Sequence, residues 1–443
     1  MALTGLEIFK QLPKTNCKDC GIPTCLAFAM KVAQGQAGLD SCPHVTDEAR
    51  ANLEAASAPP QRLVEVGAGD KAFKVGQETS LFRHDEKFIN PTAIALRITD
   101  DDADADGKCA AAKKLSFVRM GMTLEPDVIA LYNASGDANT FAAAAGKIDA
   151  ALGWPMVLCS NSADAVKAAA AKLKDKKPLI CPGDGNPEDF VEIAKDCGGS
   201  LMVTETDLEK LAGLTSKIKA AGLEDMFIAP GHVGPAAGLE FLTKTRRAAM
   251  KKNCRELGYP VVMCAIDEDA VQATIDACAY VLKYAGIVVT EAFEPWQMLP
   301  ILTTRQNIYT DPQKPVQVEP KIYDVGEPGD TSPVLITTNF SLSYYSVESE
   351  VESSRVPARI IAVDTEGTSV LTAWAADKFN AETITEAINK SEVSGKVKHK
   401  KVVIPGHVAV LSAGIEDESG WSVLIGPKEA SGLVPFLKND WKP

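Results

Sequence analysis

Residues 92–306 alternate between apolar strand-like runs and amphipathic helical runs, and this alternation constrains the fold more than any other feature of the chain. Eight runs have the length and composition of buried strands: 92–98, 127–133, 155–160, 178–182, 200–205, 226–230, 260–266 and 286–292. Helical patterns follow most of them. Eight β/α units in about 220 residues predict a (β/α)8 TIM barrel. A doubly wound open sheet is the structural alternative, because periodicity does not distinguish the two.

Proline-rich breaks divide the chain into three regions. SAPPQR ends an N-terminal region with two helical stretches, LTGLEIFKQL and TDEARANLEAA, because proline does not fit the interior of a helix. A second break, 308–333, carries five prolines and no sustained pattern, which is typical of a linker. The predicted organisation is α/β multidomain: a small N-terminal domain at 1–57, a linker at 58–91, the barrel at 92–310, a linker at 311–331 and a C-terminal domain at 332–443.

Four cysteines near the N-terminus have the spacing C-x2-C-x4-C-x16-C: Cys17, Cys20, Cys25 and Cys42. Four thiolates suit a structural zinc ion or an iron–sulfur cluster. A zinc ribbon usually takes its four ligands from two short C-x2-4-C segments. Here three cysteines lie in one short segment and the fourth lies farther along the chain, beside Pro43, which favours a [4Fe–4S] cluster. Zinc and free thiols are the alternatives, and His44 is interpreted as a surface imidazole rather than a ligand.

Seven further cysteines are scattered along the chain: Cys109, Cys159, Cys181, Cys197, Cys254, Cys264 and Cys278. Several lie in apolar stretches such as PMVLCS and VVMCAI. A buried free cysteine behaves as a small hydrophobic residue, and this is the predicted role of all seven.

The net charge of −13 and the absence of a basic patch argue against nucleic-acid binding, which depends on phosphate neutralisation. No apolar run reaches the ~18 residues that a membrane-spanning helix needs. The N-terminus lacks the basic start and apolar block of a secretory signal. These features predict a cytoplasmic protein.

The C-terminal domain contains four strand-like runs, PVLITT, RIIAVD, KVVIP and WSVLIG, each followed by glycine or hydroxylated residues. In an open, Rossmann-like α/β sheet, ligands bind at the carboxyl ends of the strands, where helix N-termini offer backbone N–H groups. The pattern therefore predicts a broad polar site for a large cofactor. Ordinary helix caps and turns are the alternative, since both favour the same residues. The sequence contains no G-x-G-x-x-G motif with a downstream acidic residue, so a dinucleotide is not the expected ligand.

Several of these stretches resemble the large subunits of corrinoid iron–sulfur proteins, which serve CO dehydrogenase/acetyl-CoA synthase in the reductive acetyl-CoA (Wood–Ljungdahl) pathway. The resemblance lies in LTGLEIFKQLPKTNCKDCGIPTCLAFAM, LDSCPHV, LFRHDEKF, RQNIYTDPQKP, SPVLITTNFSLSYYSVE, DTEGTSVLTAWAADKF and GPKEASG. It covers essentially the whole chain, more loosely in the barrel.

The resemblance implies a [4Fe–4S] cluster on Cys17, Cys20, Cys25 and Cys42, a central TIM barrel and a C-terminal domain that binds a corrinoid (cobalamin or methylcobalamin). Together with the polar strand ends, it gives the candidate corrinoid contacts: Thr337, Thr338, Asn339, Ser343, Gly367, Thr368, Ser369, Val370, Leu371, Thr372, Gly406, Ala430 and Gly432.

The resemblance also implies a methyl carrier within a methyltransferase system rather than a stand-alone enzyme. Its cobalt, as Co(I), would accept a methyl group from methyltetrahydrofolate through a separate methyltransferase and pass it to acetyl-CoA synthase. The cluster would return the electron that is lost when cobalt oxidises to Co(II). The implied partners are a small subunit in a heterodimer, that methyltransferase, acetyl-CoA synthase and a reductive activator.

None of the five histidines lies in the D-x-H-x-x-G motif by which many B12-dependent methyltransferases ligate cobalt. We therefore predict a base-off corrinoid without a protein histidine ligand, and interpret His407 as a turn residue. Two alternatives to the carrier are an electron carrier and a pterin-binding methyltransferase that uses its own barrel. The barrel's strand ends offer a polar ring for the latter: Asn133, Asn161, Asp184, Asn186, Glu205 and His232.

Overall fold

The computed structural model describes residues 5–33, 36–46, 49, 53 and 59–443. The chain forms two compact units, one comprising 1–116 and 125–309, the other comprising 117–124 and 310–443. Most of the predicted helix TDEARANLEAA lies outside the described residues. Within the part of the chain that the structure describes, no helix is long and apolar enough to cross a membrane.

The strands are β1 (Val64–Val66), β2 (Phe73–Val75), β3 (Ala93–Thr99), β4 (Phe117–Arg119), β5 (Met122–Leu124), β6 (Val128–Tyr132), β7 (Met156–Cys159), β8 (Leu179–Cys181), β9 (Ser200–Thr204), β10 (Met226–Ala229), β11 (Val262–Ala265), β12 (Ile287–Thr290), β13 (Ile322–Val325), β14 (Val334–Thr338), β15 (Ala358–Val363), β16 (Lys401–Ile404) and β17 (Ser422–Ile425). The α-helices are α1 (Gly5–Gln11), α2 (Cys25–Ala33), α3 (Ala105–Ala112), α4 (Ala138–Leu152), α5 (Ala163–Lys172), α6 (Val191–Asp196), α7 (Leu208–Ala220), α8 (Pro235–Lys252), α9 (Ala270–Leu282), α10 (Pro295–Ile308), α11 (Ser341–Ser354), α12 (Val370–Ala375), α13 (Ala381–Lys390), α14 (Ser412–Ser419) and α15 (Leu433–Asn439).

The eight strands predicted between residues 92 and 292 form one parallel sheet, with the order β10-β9-β8-β7-β6-β3-β12-β11. A bridge between Ile228 and Val261 joins the two ends of this order and closes the ring. A helix follows each strand, and Asp137, Ser162 and Asp207 cap three of these helices by accepting backbone N–H groups. The barrel is thus confirmed, and the open-sheet alternative is wrong for this region.

The segment 58–91, which we interpreted as a linker, contains a β-hairpin made of β1 and β2. Val64, Val66 and Val75 are buried in the same apolar cluster as the inward-facing residues of the barrel strands. Each strand of the hairpin has only three residues, too few for a period-2 pattern to stand out in the sequence. Much of this segment therefore packs as part of the barrel.

The second unit is built on a five-stranded sheet with the order β13-β15-β14-β16-β17. The four predicted strands are parallel and are confirmed, and apolar clusters cover both faces of the sheet. The sheet is mixed because β13 pairs antiparallel with β15. This strand lies inside 311–331, which we interpreted as a linker. Prolines on both sides of its four residues, at 320 and 328, hid the strand in the sequence.

The β4–β5 hairpin comes from the link that follows α3, yet it belongs to the second unit. Its turn passes through Met120 and Gly121, both with positive φ angles (52° and 70°). A Cβ atom on Gly121 would come within 1.9 Å of the Tyr345 hydroxyl oxygen on α11. The hairpin therefore packs closely enough on α11 to require a glycine at this position.

Candidate functional site

The cysteine-rich region places its four predicted ligands at different depths. Cys25, the first residue of α2, and Cys42 are buried in an apolar core that includes Ile8 and Phe28. Cys20 is half-buried and Cys17 is exposed. A cluster held here would face the apolar core on one side and solvent on the other.

The backbone between α1 and α2 turns repeatedly through left-handed conformations. Lys14, Asn16, Lys18 and Gly21 all have positive φ angles, between 49° and 73°. Asn16 accepts a hydrogen bond from Cys25 N–H through its side-chain Oδ1 at 2.8 Å, and its own N–H donates to Cys25 Sγ at 3.4 Å. Such alternating backbone makes concavities lined by N–H groups, which are found at many iron–sulfur sites. The loop therefore fits a group that carries negatively charged sulfur.

His44 lies at the surface, as predicted from the sequence, and pairs there with Asp19. Its Nε2 lies 2.6 Å from Asp19 Oδ2, and the ligand atoms of Cys17, Asp19 and His44 lie within 4.8 Å of one another. Hydrogen bonds, first with His44 and then with Cys17, hold the pKa of the Asp19 carboxyl below its usual value. Sequence reasoning missed Asp19, because an isolated acidic residue in a polar loop has no distinguishing pattern.

The second unit contains a cavity of about 310 Å³ at the carboxyl ends of β14, β16 and β17. Four of the predicted corrinoid contacts line it: Thr337, Ser343, Val370 and Ala430. The structure adds lining residues that the sequence did not single out, among them Leu335, Val403, Pro405, Pro427 and Leu433. The lining is mainly apolar, with a few hydroxyl groups and one pair of opposite charges, Lys428 and Glu429. It suits a flat, largely neutral group that forms a small number of hydrogen bonds.

Two predicted glycines shape this cavity without lining it. A Cβ atom on Gly406 would come within 2.6 Å of the Gly426 carbonyl oxygen, and one on Gly432 would come within 2.6 Å of Pro427 Cβ. Gly406 allows the loops after β16 and β17 to approach each other closely, and Gly432 allows the loop after β17 to fold back on its own Pro427. A larger residue at either position would displace the loop that carries Pro427, which lines the cavity.

Asn339 is buried and ties the loop after β14 to the loop after β15. Its Oδ1 accepts hydrogen bonds from Thr365 N–H, Thr365 Oγ1–H and Gly367 N–H, at 3.0, 3.0 and 3.1 Å. Its Nδ2 donates to Gln317 at 3.0 Å and to Asp364 at 3.2 Å. With all of these bonds made inside the protein, Asn339 positions two loops.

The remaining predicted contacts lie close to these loops but do not line the cavity: Thr338, Gly367, Thr368, Ser369, Leu371 and Thr372. Thr338 is buried, and its hydroxyl has no hydrogen-bond partner. Ser369 and Thr372 bond to each other through their hydroxyls at 3.0 Å, and Leu371 is 47% exposed. The exposed residues are available to a ligand that extends beyond the cavity.

His407 lies in a short 3-10 helix, Gly406–Leu411, that follows β16. Its Nε2 is 3.6 Å from Glu429 Oε1. The imidazole is therefore directed at a carboxylate on the neighbouring loop.

Three residues of the predicted polar ring at the barrel mouth form hydrogen bonds within the barrel, and two of these bonds are local. Asn133 donates from Nδ2 to Ser160 Oγ at 2.9 Å, and Asn186 accepts from Glu188 N–H at 3.4 Å. Glu205 accepts from Asp207 N–H at 3.0 Å, and this bond lowers the pKa of Glu205. The contacts of Asn186 and Glu205 are those of ordinary turns, whereas the bond of Asn133 joins the ends of two neighbouring strands, β6 and β7.

Comparison with known proteins gives two family matches. The family described as "CO dehydrogenase/acetyl-CoA synthase delta subunit" matches residues 63–437, and the family described as "Putative Fe-S cluster" matches residues 12–44. The second match contains all four N-terminal cysteines.

Two curated relatives match along their whole length. The chain is 44% identical to the corrinoid/iron–sulfur protein large subunit of Moorella thermoacetica over 441 residues, which is 99% of each chain. It is 33% identical to subunit gamma of the acetyl-CoA decarbonylase/synthase complex of Methanothermobacter thermautotrophicus, again over 99% of each chain. Among solved structures, dihydropteroate synthase from Xanthomonas albilineans aligns with 57% of this chain and 100% of its own, at 10% identity and a TM-score of 0.41.

Proposed function

Since the chain belongs to the family of corrinoid/iron–sulfur protein large subunits, we propose that it is a methyl carrier, accepting methyl groups from methyltetrahydrofolate through a separate methyltransferase and delivering them to acetyl-CoA synthase. The observation that carries this proposal is the cavity at the strand ends of the second unit. It joins four residues expected to touch a corrinoid, from three separate parts of the chain. An electron carrier would have no use for such a cavity.

The two bound groups supply the chemistry: a corrinoid offers a cobalt nucleophile for the methyl group, and a [4Fe–4S] cluster offers the electron that keeps the cobalt reduced. The residues of this chain bind and orient these groups. Cys17, Cys20, Cys25 and Cys42 are the proposed cluster ligands.

In the second unit, Thr337 and Ser343 offer hydroxyl groups inside a cavity whose other lining residues are mostly apolar, with Lys428 and Glu429 also present. We assign this cavity to a flat heteroaromatic part of the corrinoid, such as its nucleotide base. The segment Gly367–Thr372, in which Leu371 and Thr372 are exposed, is the proposed contact for the larger ring system outside. Asn339 fixes that segment relative to β14 by its bond to Gly367.

The proposal includes a base-off corrinoid without a protein histidine ligand. A nitrogen ligand below the cobalt would favour its oxidised states over Co(I), so its omission would ease reduction. His407 is not among the residues that line the cavity, which supports this assignment.

The proposed partners are a small subunit, a methyltransferase, acetyl-CoA synthase and a reductive activator. The name of the Methanothermobacter relative, a subunit of an acetyl-CoA decarbonylase/synthase complex, supports an assembly of this kind. A carrier must present its cofactor to more than one partner, which favours a movable cofactor domain.

The test is to produce the chain together with its small subunit under anaerobic conditions and to supply a corrinoid. The cobalt and iron content per chain are then measured. The transfer of labelled methyl from methyltetrahydrofolate is measured in the presence of the methyltransferase. About one cobalt and four irons per chain, with methyl transfer that depends on the methyltransferase, would support the carrier. Iron without cobalt would contradict it and favour an electron carrier. Methyl transfer without the added methyltransferase, or folate binding by the chain alone, would favour catalysis in the barrel instead.

A further inference from the structure

Three neighbouring strands of the barrel end in a row of reactive side chains. Tyr132, Cys159 and Cys181 are the last residues of β6, β7 and β8. The strand register places Tyr132 beside Cys159, and Cys159 beside Cys181. Cys159 and Cys181 belong to the buried cluster of inward-facing barrel residues, and the partly buried Tyr132 packs against this cluster. The carboxyl ends of barrel strands, where this row lies, are where TIM-barrel enzymes place their chemistry.

The two cysteines have the geometry of a pair that can form a disulfide. Neighbouring strands lie about 4.7–4.9 Å apart, and disulfides usually join Cα atoms about 4.4–6.8 Å apart. Cys159 and Cys181 are in register on adjacent strands and both side chains face the barrel interior. Cys264 belongs to the same interior but lies on β11, three strands from β8 in the ring. Its sulfur lies 3.8 Å from Tyr132 Oη instead.

The two thiols of the pair are not equivalent. A hydrogen bond from the Cys159 thiol lowers the pKa of Cys181; burial opposes this effect, and the Gly183 N–H adds to it. Gly183 has a φ of 62°, so the turn after β8 needs the left-handed conformation that brings this N–H back to the sulfur. Burial and the bond to Cys181 raise the pKa of Cys159. Cys181 is thus the nucleophile of the pair, since the thiolate is the reactive form.

We propose that Cys159 and Cys181 form an oxidisable dithiol at the C-terminal mouth of the barrel, which an electrophilic two-electron oxidant closes to a disulfide. With a diazene as oxidant, the Cys181 thiolate attacks one nitrogen of the N=N bond to form an S–N bond. The Cys159 sulfur then attacks the Cys181 sulfur, which forms the S–S bond and releases a hydrazine. The two thiols lose two electrons and two protons, and the hydrazine carries both away. This site requires neither the corrinoid nor the cluster ligands.

The test is oxidation of the folded full-length chain with diamide under anaerobic conditions, followed by blocking with N-ethylmaleimide, digestion and mass spectrometry. We expect a peptide pair linked through Cys159 and Cys181, present in wild type and in Cys264→Ser and lost in Cys159→Ser. Reduction with dithiothreitol should return both thiols. The Cys264 variant is the matched control, because it removes a thiol from the same barrel interior on a non-adjacent strand.

The proposal is overturned if both cysteines still take N-ethylmaleimide after diamide treatment, or if the linked peptide is no more abundant in folded protein than in urea-unfolded protein. A second measurement tests the nucleophile independently of the linkage. The rate of Cys181 alkylation by iodoacetamide in folded protein should fall several-fold in Cys159→Ala and be retained in Cys159→Ser, whose hydroxyl still donates a hydrogen bond. If Cys181 is alkylated at the same rate in both variants, Cys159 does not activate Cys181 by donating a hydrogen bond.

Discussion

The side-chain oxygen of Asn339 accepts a hydrogen bond of 3.1 Å from the backbone N–H of Gly367, although the two residues follow different strands of the C-terminal sheet. Gly367 has a φ of 71° and lies close to Pro315, to which a Cβ atom would approach within 3.0 Å. One buried amide therefore determines how the loops after β14 and β15 sit beside each other. The candidate corrinoid contacts on both loops depend on it.

Replacing Asn339 with Asp should destabilise the second unit and weaken corrinoid retention. The aspartate carboxylate can still accept hydrogen bonds, but it cannot donate one to Gln317 as the Asn339 amide does. It also places a second negative charge beside Asp364. A buried group left unpaired costs roughly 1–3 kcal/mol. Urea unfolding and the cobalt retained after gel filtration measure the two effects. Asn389→Asp is the control, because it makes the same change at an exposed position of α13 in the same unit. Equal losses in both variants would contradict the special role of Asn339.

Filling the cavity of the second unit should abolish corrinoid binding without affecting the cluster. Ser343 lines the cavity near the start of α11, whereas Ser353 is exposed near the end of the same helix. Ser343→Phe should lower bound cobalt at least several-fold, because the ring occupies space that the cofactor needs. Ser353→Phe should bind cobalt as wild type does. Iron content should be unchanged in both. Normal cobalt in Ser343→Phe would place the corrinoid elsewhere.

The conformation of Asn16 should control how firmly the cluster is held. Asn16 combines a φ of 49° with a side-chain bond to Cys25 N–H. Alanine removes the bond and disfavours the positive φ, whereas glycine removes only the bond. Iron loss to a chelator over time should therefore be fastest in Asn16→Ala, intermediate in Asn16→Gly and slowest in wild type. If the glycine variant loses iron as fast as the alanine variant, the backbone conformation contributes little.

The sequence predicted long, regular elements better than short or composite ones. The eight barrel strands were found because runs such as PVVMCAI and GIVVTEA are continuously apolar, as strands buried on both faces must be. The strand Ile322–Val325 escaped notice because it is a short edge strand between prolines. Thr337 and Ser343 were predicted as corrinoid contacts from the resemblance and from their positions at and after the end of β14, and both line the cavity. Pro405 and Pro427 were not, because only the folded loops show that they face the same space. The sequence could not show that Cys159 lies beside Cys181 for a similar reason, because the register of two strands is a property of the folded sheet.

The close contact between the β4–β5 hairpin and α11 predicts a position-specific glycine effect. Gly121 and Gly136 both have a φ of 70°, but only Gly121 faces a neighbour, the Tyr345 hydroxyl. Gly136→Ala should cost only the backbone strain of about 1–2 kcal/mol. Gly121→Ala should cost more and should expose the hairpin to protease. Thermal unfolding and limited trypsin digestion at Arg119 measure the difference. Similar behaviour of the two variants would show that the hairpin moves away from Tyr345 at little cost.

The buried pair of Glu78 and Arg246 predicts a pH dependence of stability. Arg246 Nη2 lies 3.5 Å from Glu78 Oε2, and its guanidinium packs over the rings of Phe88 and Tyr284. Burial raises the pKa of Glu78 above 4.5, and Arg246 opposes this rise. Removing one partner of such a pair typically costs about 3–5 kcal/mol, because the other charge stays buried. Arg246→Met should therefore be strongly destabilised.

In Arg246→Met, the pKa of Glu78 should rise further, because the opposing charge is gone. The folded state then holds a proton that the unfolded state releases above about pH 4.5, so stability falls as pH rises. The melting temperature of this variant should decrease from about pH 5 to about pH 8, more steeply than that of wild type. The double variant Glu78→Gln/Arg246→Met should lose this slope and recover part of the stability, because no charge remains buried. A slope that persists in the double variant would assign the pH dependence to another group.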